Sequence, residues 1–599
     1  MVNLPVKLLM GNEAIAYGAL EAGVQVATAY PGTPASEIFS TLAELAKEYG
    51  FYAEWSVNEK VALEVAAGAA YAGARAIVSM KQVGLNVAAD PLMTLAYIGV
   101  KGGLVLAVAD DPGPHSSQNE QDTRKFAQFA KLPVLDPASP AEAKEMTKAA
   151  FELSEKLSLP VILRPTTRTC HVCQDVPVGE RIPRQTRVYF QKDPGWTIMP
   201  GLAARRHPWL NAQQEKAREF FNGSPFNQAI IRNRVGIITS GVSFNYVQEA
   251  LDLLEQEASI LKIGTPYPLP DRVVLNFLGQ VDRVLVVEEQ EPVVEDQVIA
   301  LAWKNKLGVT ISGKHDCLVP REGEFDVDKV KDMLTTFFGL APSVATRPQL
   351  PPLPLRTPVL CAGCPHRASF YAFKQAAAGQ DAVFTGDIGC YTLGVIPPLN
   401  TVDTCLCMGA SVTIATGLAR VEPARKHVAF LGDSTFFHTG LPGLVNAVYN
   451  QADITLVVLD NRTTAMTGFQ PHPGLGRTAL DQVTKQLDIV KIAAACGVEL
   501  VCEVDPYDLA TAKQVARKAI AFPGPAVVIM KRECVHLVPK RSVFRVNVNN
   551  CVNCKICLEE FGCPAITLDG EQVMITDNCS GCGVCAQVCP VAAIEEVQL

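Results

Sequence analysis

The sequence predicts an α/β protein built on doubly wound parallel sheets, followed by a small cysteine-rich domain at the carboxyl terminus. Short apolar runs alternate with helical patterns up to about residue 180, and the alternation returns after residues 225 and 355. Such an alternation is typical of parallel sheets covered by helices. Eight of the nineteen cysteines lie within the last fifty residues. A chain of 599 residues has room for about three to five such domains.

Composition excludes several classes of function. The net charge is −8 and the basic residues are dispersed, so the sequence offers no electrostatic footprint for nucleic acid. No apolar run reaches the roughly 20 residues that span a bilayer, and no basic segment followed by an apolar one opens the chain. We therefore expect a cytoplasmic protein without a membrane span. In a reducing compartment, a dense cysteine array indicates metal binding rather than disulfides.

The first α/β domain is predicted over residues 1–180. It contains a helix rich in small residues from Glu59 to Gly73 and a strand from Ala76 to Met80. Glu59 is either a solvated acid in a first helical turn, where the macrodipole favours it, or a catalytic acid. Thr33, between two prolines and before a helix, is either a helix cap or a hydrogen-bond donor to a ligand. His115, in a loop rich in proline and glycine, is a weaker candidate.

The middle of the chain offers less chemistry. We expect an irregular connection from about residue 180 to 225 and a second α/β domain over residues 225–340, with strands at Val235–Ser240 and Val284–Glu289. Glu288 and Glu289 are interpreted as solvated acids at the end of a strand. A proline-rich linker, residues 342–358, then precedes a third α/β domain over residues 355–538.

Two apolar strands of the third domain end in polar residues. Val428–Leu431 leads into Gly432 and Asp433, and a strand ending at Leu459 leads into Asp460 and Asn461. Because parallel strands joined by a helix present their carboxyl ends at one edge, these residues are expected to meet there. Mg²⁺ prefers oxygen ligands, which Asp433, Asn461 and a carbonyl near Thr463 would supply, and Gly432 permits close backbone approach. The alternative is an ordinary strand, turn and helix with Asp433 as the cap.

The last domain, residues 540–599, has the spacing of a bacterial two-cluster ferredoxin, in which the fourth cysteine of each run ligates the other cluster. Paired Cys-Pro endings favour [4Fe-4S] clusters over zinc ribbons. Five residues rather than three precede Cys563, which leaves the second cluster's geometry open. The two predicted ligand sets are Cys551, Cys554, Cys557 and Cys589, and Cys579, Cys582, Cys585 and Cys563.

The stretch from Gly432 to Asn461 resembles the motif by which enzymes bind thiamine diphosphate and Mg²⁺, with Ser434 and Asp460 as departures from it. Segments at residues 58–60, 68–72 and 84–86 resemble the pyrimidine-binding domain of these enzymes. This resemblance implies that Glu59 hydrogen-bonds the pyrimidine and favours the imino tautomer that activates thiazolium C2. Residues 225–340 resemble their structural, transketolase-type third domain.

Residues 29–34 resemble the Tyr-Pro-x-Thr-Pro segment of 2-oxoacid:ferredoxin oxidoreductases, which implies that Thr33 contacts the substrate. The order of all motifs is similar to that of the large (alpha) subunits of indolepyruvate:ferredoxin oxidoreductases. This resemblance implies oxidative decarboxylation of an aryl 2-oxoacid, with the acyl group passing to coenzyme A and electrons to ferredoxin. It further implies a smaller beta subunit in an alpha2beta2 assembly.

Three alternatives to this function remain at the level of the sequence. They are oxidation of another 2-oxoacid such as pyruvate or a branched-chain acid, a non-oxidative thiamine decarboxylase, and an electron-transfer subunit with a decayed thiamine fold. A third cluster is also open, because Cys361, Cys364 and Cys390 match the proximal-cluster segments of related pyruvate oxidoreductases, and Cys534 offers a fourth ligand. The alternative is that these four thiols are inert packing residues.

Overall fold

The computed structural model describes residues 4–182, 188–341, 351–354, 356–540 and 542–598. The chain divides into two compact units, one running to Pro348 and the other starting at Gln349. Most of the linker predicted at residues 342–358 lies outside the described residues. Among the helices of the described part, none combines the length and the apolar character needed to cross a membrane.

The amino-terminal unit alternates strands and helices, as predicted. Its strands are β1 Val6–Met10, β2 Val26–Ala29, β3 Tyr52–Trp55, β4 Ala76–Lys81, β5 Leu104–Ala109, β6 Val134–Leu135, β7 Val161–Leu163, β8 Cys173–Pro177, β9 Gln228–Ile230, β10 Val235–Ser240, β11 Ser259–Ile263, β12 Arg283–Val287 and β13 Thr310–Ser312. Its helices are α1 Gly11–Glu21, α2 Ser36–Tyr49, α3 Glu59–Tyr71, α4 Gln82–Val87, α5 Ala89–Ile98, α6 Thr123–Ala130, α7 Pro140–Leu157, α8 Thr167–His171, α9 Pro200–Asn222, α10 Ser243–Leu253, α11 Asp271–Leu278, α12 Val293–Lys304 and α13 Val327–Phe338.

The first large sheet is parallel, with strand order β3-β2-β4-β5-β7-β6. Every residue of β5 is buried, as expected of a central strand covered on both faces. Helix α3 packs on β2 and β4 through Ala62, Ala66 and Ala70, whose small side chains allow close approach. The adjacent β2 and β4 therefore end at the same edge of the sheet, next to the start of α3.

The second sheet has the order β13-β12-β10-β11-β9, with only the edge strand β9 antiparallel among its described strands. Between the two sheets the sequence prediction was wrong, because residues 200–222 form the long helix α9 instead of an irregular connection. Pro208 inside the helix obscured it. Its buried positions, Leu210, Gln214, Ala217 and Phe221, nevertheless recur with helical spacing.

The carboxyl-terminal unit holds a parallel sheet and a region of short antiparallel pairs. Its strands are β14 Ala382–Thr385, β15 Lys426–Gly432, β16 Thr455–Asp460, β17 Leu500–Val504, β18 Ala526–Lys531, β19 Ser542–Val546, β20 Ile566–Asp569, β21 Gln572–Ile575 and β22 Ile594–Gln598. Its helices are α14 Pro365–Ala376, α15 Ala410–Val421, α16 Asp433–Thr435, α17 Leu441–Tyr449, α18 Ile489–Ala495, α19 Leu509–Ala521 and α20 Val584–Val588. The parallel sheet has the order β14-β15-β16-β18-β17, whereas β19 pairs with β22 and β20 with β21.

The predicted pairing of the two motif strands is confirmed. Strands β15 and β16 are parallel neighbours, with Gly432 opposite Leu459. The residues that follow each strand, Asp433 and Asn461, therefore leave the sheet at the same edge. A π-helix, Phe436–Gly440, joins α16 to α17 and carries the buried His438.

Candidate functional site

The end of β15 is shaped by close packing around Gly432. A Cβ atom on Gly432 would lie 2.7 Å from the ring of Tyr391, so no larger residue fits without displacing that ring. Asp433 follows and is buried. Its Oδ1 accepts a hydrogen bond from the Ser434 amide at 2.8 Å, and its Oδ2 accepts one from the Arg462 amide at 2.9 Å. The two ends of the predicted motif are thus in direct contact.

Asp460 adds a second carboxylate to this site. Its Oδ1 accepts a bond from the same Arg462 amide at 3.2 Å. Burial, the negative charge of Asp433 and a hydrogen bond with it raise the pKa of Asp460 to about 7. Burial alone would raise the pKa of Asp433 as well, but His472 and the Ser434 amide lower it below its usual range. The pair therefore contains one carboxylate and one group that titrates near neutral pH.

His472 was missed by the sequence analysis. Its Nε2 lies 3.0 Å from Asp433 Oδ2, although that nitrogen has no properly directed hydrogen bond among the described residues. Its Nδ1 accepts the Gly474 amide at 3.2 Å. Within the described residues, the buried Thr463 hydroxyl also has no hydrogen-bond partner. A pair of buried acids beside two unsatisfied polar atoms fits a bound cation, because such groups are costly without a partner.

A second polar cluster lies around Asp387, to which the sequence analysis assigned no role. Its Oδ2 accepts bonds from the Gly409 amide at 2.8 Å and the Ser411 hydroxyl at 3.1 Å. The Tyr391 hydroxyl bonds to Asp387 and lies 2.9 Å from Thr435 Oγ1. Burial raises the pKa of Asp387 to about 7. This cluster fixes the Tyr391 ring that packs against Gly432.

The eight cysteines of the last domain line two separate cavities. Within the described residues, no three or more His, Cys, Asp or Glu side chains already stand in the arrangement of a bound metal ion. The cysteines nevertheless separate as the spacing predicts. One cavity is lined by Cys551, Cys554, Cys557 and Cys589, and the other by Cys563, Cys579, Cys582 and Cys585.

The extra residues before Cys563 have a structural explanation. Residues Cys557–Phe561 form a π-helix, and Gly562 follows it in the left-handed region with φ 61°. A π-helical turn takes up more residues than an α-helical one, so the longer spacing is absorbed locally. Cys563 consequently still lines the second cavity.

The four remaining candidate cysteines are also neighbours. Burial and the nearby Cys361 and Cys390 raise the pKa of Cys364 to about 12. Burial, Cys534 and Cys361 raise the pKa of Cys390 to about 11. The Cys534 amide donates to the Asn461 carbonyl at 2.9 Å, which attaches this group to the Asp433 site.

In the amino-terminal unit, Glu59 is the buried first residue of α3, after the cap Asn58. A Cβ atom on Gly84 would lie 2.5 Å from Glu59 Oε1, so the predicted segments around residues 59 and 84 are in contact. Thr33 lies in the loop after β2, where its carbonyl accepts the Ser116 hydroxyl at 3.1 Å. Glu59 and Thr33 thus lie at the carboxyl ends of neighbouring strands.

Two other acids and one histidine differ from expectation. The prediction that Glu288 and Glu289 are solvated was wrong, because both are buried. Glu288 pairs with Arg124 at 2.7 Å, so its side chain points from the end of the strand into the protein interior and not into solvent. The His115 side chain is half exposed, and its Nε2 lies 3.0 Å from Glu324 Oε2, a contact that no sequence pattern predicted.

Comparison with known proteins agrees with this arrangement along most of the chain. Family models match residues 17–222 as "Pyruvate flavodoxin/ferredoxin oxidoreductase, thiamine diP-bdg" and residues 228–340 as "Indolepyruvate oxidoreductase domain". They match residues 387–530 as "Thiamine pyrophosphate enzyme, C-terminal TPP binding domain" and residues 573–595 as "4Fe-4S binding domain". The thiamine-binding and iron–sulfur character of the chain is thereby established.

Curated relatives match over nearly the whole length. Indolepyruvate oxidoreductase subunit IorA of Pyrococcus horikoshii is 45% identical, over 99% of this chain and 97% of its own. Subunit IorA of Archaeoglobus fulgidus is also 45% identical, over 98% and 97%. The 2-oxoglutarate synthase subunit KorA of the same organism is 25% identical over 52% of this chain and 95% of its own. The chain therefore belongs to the indolepyruvate oxidoreductase subunit IorA family of thiamine-diphosphate-dependent 2-oxoacid:ferredoxin oxidoreductases.

Proposed function

We propose that this chain, with a smaller beta subunit, oxidatively decarboxylates indolepyruvate to the acyl-coenzyme A and passes two electrons to ferredoxin. The observation that carries the proposal is that one compact unit contains both the buried acid site at Asp433, with the unsatisfied His472 Nε2 beside it, and three groups of four neighbouring cysteines. Cofactor chemistry that stabilises a carbanion, placed near a one-electron relay, suits oxidative rather than simple decarboxylation. The non-oxidative and non-catalytic alternatives explain only one of these two features.

The chain's own residues have distinct proposed roles. Asp433, the Asn461 side chain and the Thr463 carbonyl would hold Mg²⁺, and Gly432 and Ser434 would contact the diphosphate. Thiamine diphosphate, once bound, supplies a nucleophilic carbon that adds to the substrate carbonyl and stabilises the electrons left by carbon dioxide. Glu59 would hold a proton at the pyrimidine ring, and Thr33 would donate a hydrogen bond to the substrate carboxylate.

Asp460 and His472 are two other titratable side chains next to the proposed metal ligand Asp433. Asp460 titrates near neutral pH beside the ionised Asp433, and His472 contacts the same carboxylate. A divalent cation at Asp433 would place positive charge next to both acids and would favour ionisation of Asp460. Metal binding is therefore expected to release protons at neutral pH.

For the iron–sulfur part, we propose two [4Fe-4S] clusters on the two cysteine sets of the last domain. A third cluster would be held by Cys361, Cys364, Cys390 and Cys534. Support comes from Gly363, where a Cβ atom would lie 3.6 Å from Cys582 Cβ. The third group of cysteines therefore lies next to the second cysteine set of the last domain. Electrons would thus have a continuous route from the thiamine motif to the last domain.

Iron analysis tests the cluster count. The anaerobically purified chain is expected to contain about twelve irons with three cubanes and about eight with two. A Cys361→Ser, Cys364→Ser double variant should lower a count of twelve to about eight. A matched Cys170→Ser, Cys317→Ser variant should leave it unchanged, because neither thiol belongs to a group. A count of eight that the first double variant does not change would leave two clusters only.

The substrate is tested with a panel of 2-oxoacids. The chain co-expressed with its partner should reduce a viologen dye anaerobically, and the reduction should depend on coenzyme A. Indolepyruvate is expected to give the highest kcat/KM, ahead of pyruvate, 2-oxoglutarate and a branched-chain acid. Dye reduction without coenzyme A dependence, or acetaldehyde-type products without dye reduction, would contradict the proposal.

The assembly is proposed as alpha2beta2 in the cytoplasm. The smaller subunit is inferred because related subunits are named as parts of a larger oxidoreductase. Light scattering of the purified chain with and without its co-expressed partner measures the stoichiometry. Full activity of a monomer of this chain alone would contradict the proposed assembly.

A further inference from the structure

Lys81 is the last residue of β4 and lies at the edge of the sheet where Thr33 and Glu59 are found. Strand β4 pairs with β2 on one side, with Ser79 opposite Ala29, and with β5 on the other, with Lys81 opposite Ala109. The lysine therefore stands between the loop that carries Thr33 and the loop that follows β5. Neither the sequence motifs nor the relatives' names assign it a role.

The stem of Lys81 is held in place by Gly32. A Cβ atom on Gly32 would lie 3.1 Å from both Cγ and Cδ of Lys81. The glycine therefore leaves just enough room for the lysine side chain to pass over it. The ammonium then donates to the Ser116 carbonyl at 2.9 Å. Ser116 in turn donates its hydroxyl to the Thr33 carbonyl at 3.1 Å. This short chain of contacts ties the ammonium to the loop of Thr33.

These contacts do not engage all the N–H donors of the Lys81 ammonium. It has three N–H donors, of which one is bonded among the described residues. Asp111 and Glu59 are the two acids whose charges act on it, but no carboxylate of the described residues forms an ion pair with it. Asp111 is already satisfied by the hydroxyls of Thr167 and Ser117 and by the Ser116 amide. Two donors of Lys81 are therefore left for a ligand.

The neighbouring cations do not offer the same opportunity. Arg168 forms two bonds to the carboxylate of Glu324, one of them at 2.8 Å from Nη2 to Oε2. His115 contacts the same carboxylate at 3.0 Å. Of these three cations in the described part of this edge, Lys81 is thus the one that forms no ion pair, and it contacts the loop of Thr33 at Gly32. A partly buried charge of this kind gains most from an anionic ligand.

We propose that the ammonium of Lys81 binds the carboxylate of the 2-oxoacid substrate, opposite the hydroxyl of Thr33. This inference rests on the proposed function and names the group that recognises the charged end of the substrate. A carboxylate accepts two charge-assisted hydrogen bonds, which matches the two free donors. Thr33 alone supplies a single neutral donor and would leave the charge of the substrate without a counter-ion.

Substitution of the lysine separates binding from chemistry. Lys81→Met keeps the length of the stem over Gly32 and removes the charge, so KM for indolepyruvate should rise by about 10- to 100-fold, while kcat changes less than KM. Lys81→Arg keeps the charge and should recover part of the affinity. Lys101→Met is the matched control, because this exposed lysine also donates to a backbone carbonyl but lies outside the edge, and it should behave like the wild type.

A ligand pair makes the test independent of turnover. Indole-3-propionate carries the carboxylate, whereas indole-3-propionamide has the same shape without the charge. In the wild-type complex with its partner, the acid should inhibit at least tenfold more tightly than the amide, and in Lys81→Met this preference should disappear. A merely structural role would weaken both inhibitors together and leave their ratio unchanged.

The pH dependence provides a third measurement. Burial lowers the pKa of Lys81 to about 8, against the opposing effect of Asp111 and Glu59. KM for the 2-oxoacid in the wild type should therefore rise as pH increases through about 8, where the ammonium loses its proton, and Lys81→Arg should shift this rise to higher pH.

The outcomes that overturn each proposal differ. If the wild-type complex oxidises indolepyruvate and Lys81→Met keeps its KM and its preference for the acid, the lysine does not bind the carboxylate. A rise in KM for coenzyme A instead of the 2-oxoacid would also overturn the assignment. A wild-type complex that does not oxidise indolepyruvate overturns the proposed function, and with it the ligand assigned to Lys81.

Discussion

Two buried groups of charged side chains, one in each unit, differ in how completely the protein satisfies them. In the amino-terminal unit, Arg124 bonds both oxygens of Asp122 and also reaches Glu288 and the Glu289 carbonyl. In the carboxyl-terminal unit, Asp433 lies beside the unsatisfied Nε2 of His472, and the buried Thr463 hydroxyl, three residues after Asp460, has no partner among the described residues. The acids are buried in both places, so satisfaction by protein partners is what distinguishes a structural network from a ligand site.

The amino-terminal network extends beyond Arg124. Arg164 donates to Asp110 at 2.7 Å and lies 3.4 Å from Asp136. The Val294 and Glu295 amides donate two further hydrogen bonds to the Glu288 carboxylate. The network joins residues of the first sheet to residues of the second, so its role within this unit is to hold the two sheets together.

Glu59→Ala is expected to reduce turnover by several orders of magnitude and to leave thiamine diphosphate binding largely intact. The side chain would act on the pyrimidine ring and not on the diphosphate. Hydrogen–deuterium exchange at C2 of the bound cofactor should be lost. Glu64→Gln, an exposed acid of the same helix, is the control. Unchanged exchange at C2 in Glu59→Ala would show that this residue is not the activating acid.

Asp433→Ala is expected to abolish retention of the cofactor, because the diphosphate is held mainly through the metal. Calorimetry with thiamine diphosphate and Mg²⁺ measures the effect. Asp577→Ala removes an acid that is 91% exposed in the same unit and should change nothing. Undiminished affinity in Asp433→Ala would place this acid among the satisfied, structural groups.

Arg124→Met should destabilise the folded chain by about 3 to 5 kcal/mol, because it leaves Asp122 and Glu288 buried without their counter-ion. Denaturant unfolding measures the change. Arg234→Met, which breaks an exposed pair with Asp282, should leave the free energy of unfolding almost unchanged. Cofactor affinity of the folded Arg124→Met protein should be normal, and a specific loss of affinity would break the comparison.

The smallest effect concerns pH. Burial raises the pKa of Glu289 to about 7, so the folded state favours its neutral form. A raised pKa contributes stability that is present at low pH and lost as pH rises from about 4.5 to 7, on the order of 1 to 3 kcal/mol. Glu289→Gln should flatten this part of the dependence, measured by urea unfolding of the chain without cofactors. Glu257→Gln, an exposed acid, should leave the slope unchanged, and an equal slope in Glu289→Gln would contradict the assignment.

Much of the fold was predictable because periodic burial leaves a periodic sequence. The strands at residues 235–240 and 426–432, and helix α3, follow from apolar runs or small residues whose pattern reflects packing on a sheet. Helix α9 was not predicted because its buried positions do not form a clear apolar pattern in the sequence. Pro208 and polar buried positions weaken the apolar signal, and packing against the rest of the unit stabilises the helix in spite of them.

The sequence alone predicted where most of the candidate site residues lie, because cysteine spacing and strand-end acids are local patterns along the chain. It divided the last eight cysteines into the two sets that line two cavities. Only the tertiary structure decided which charged groups remain unsatisfied. His472 and Lys81 belong to no sequence motif. The sequence predicts that Glu288 is solvated, whereas the structure pairs it with Arg124. Hydrogen-bond satisfaction depends on partners far apart in sequence, so no local pattern records it.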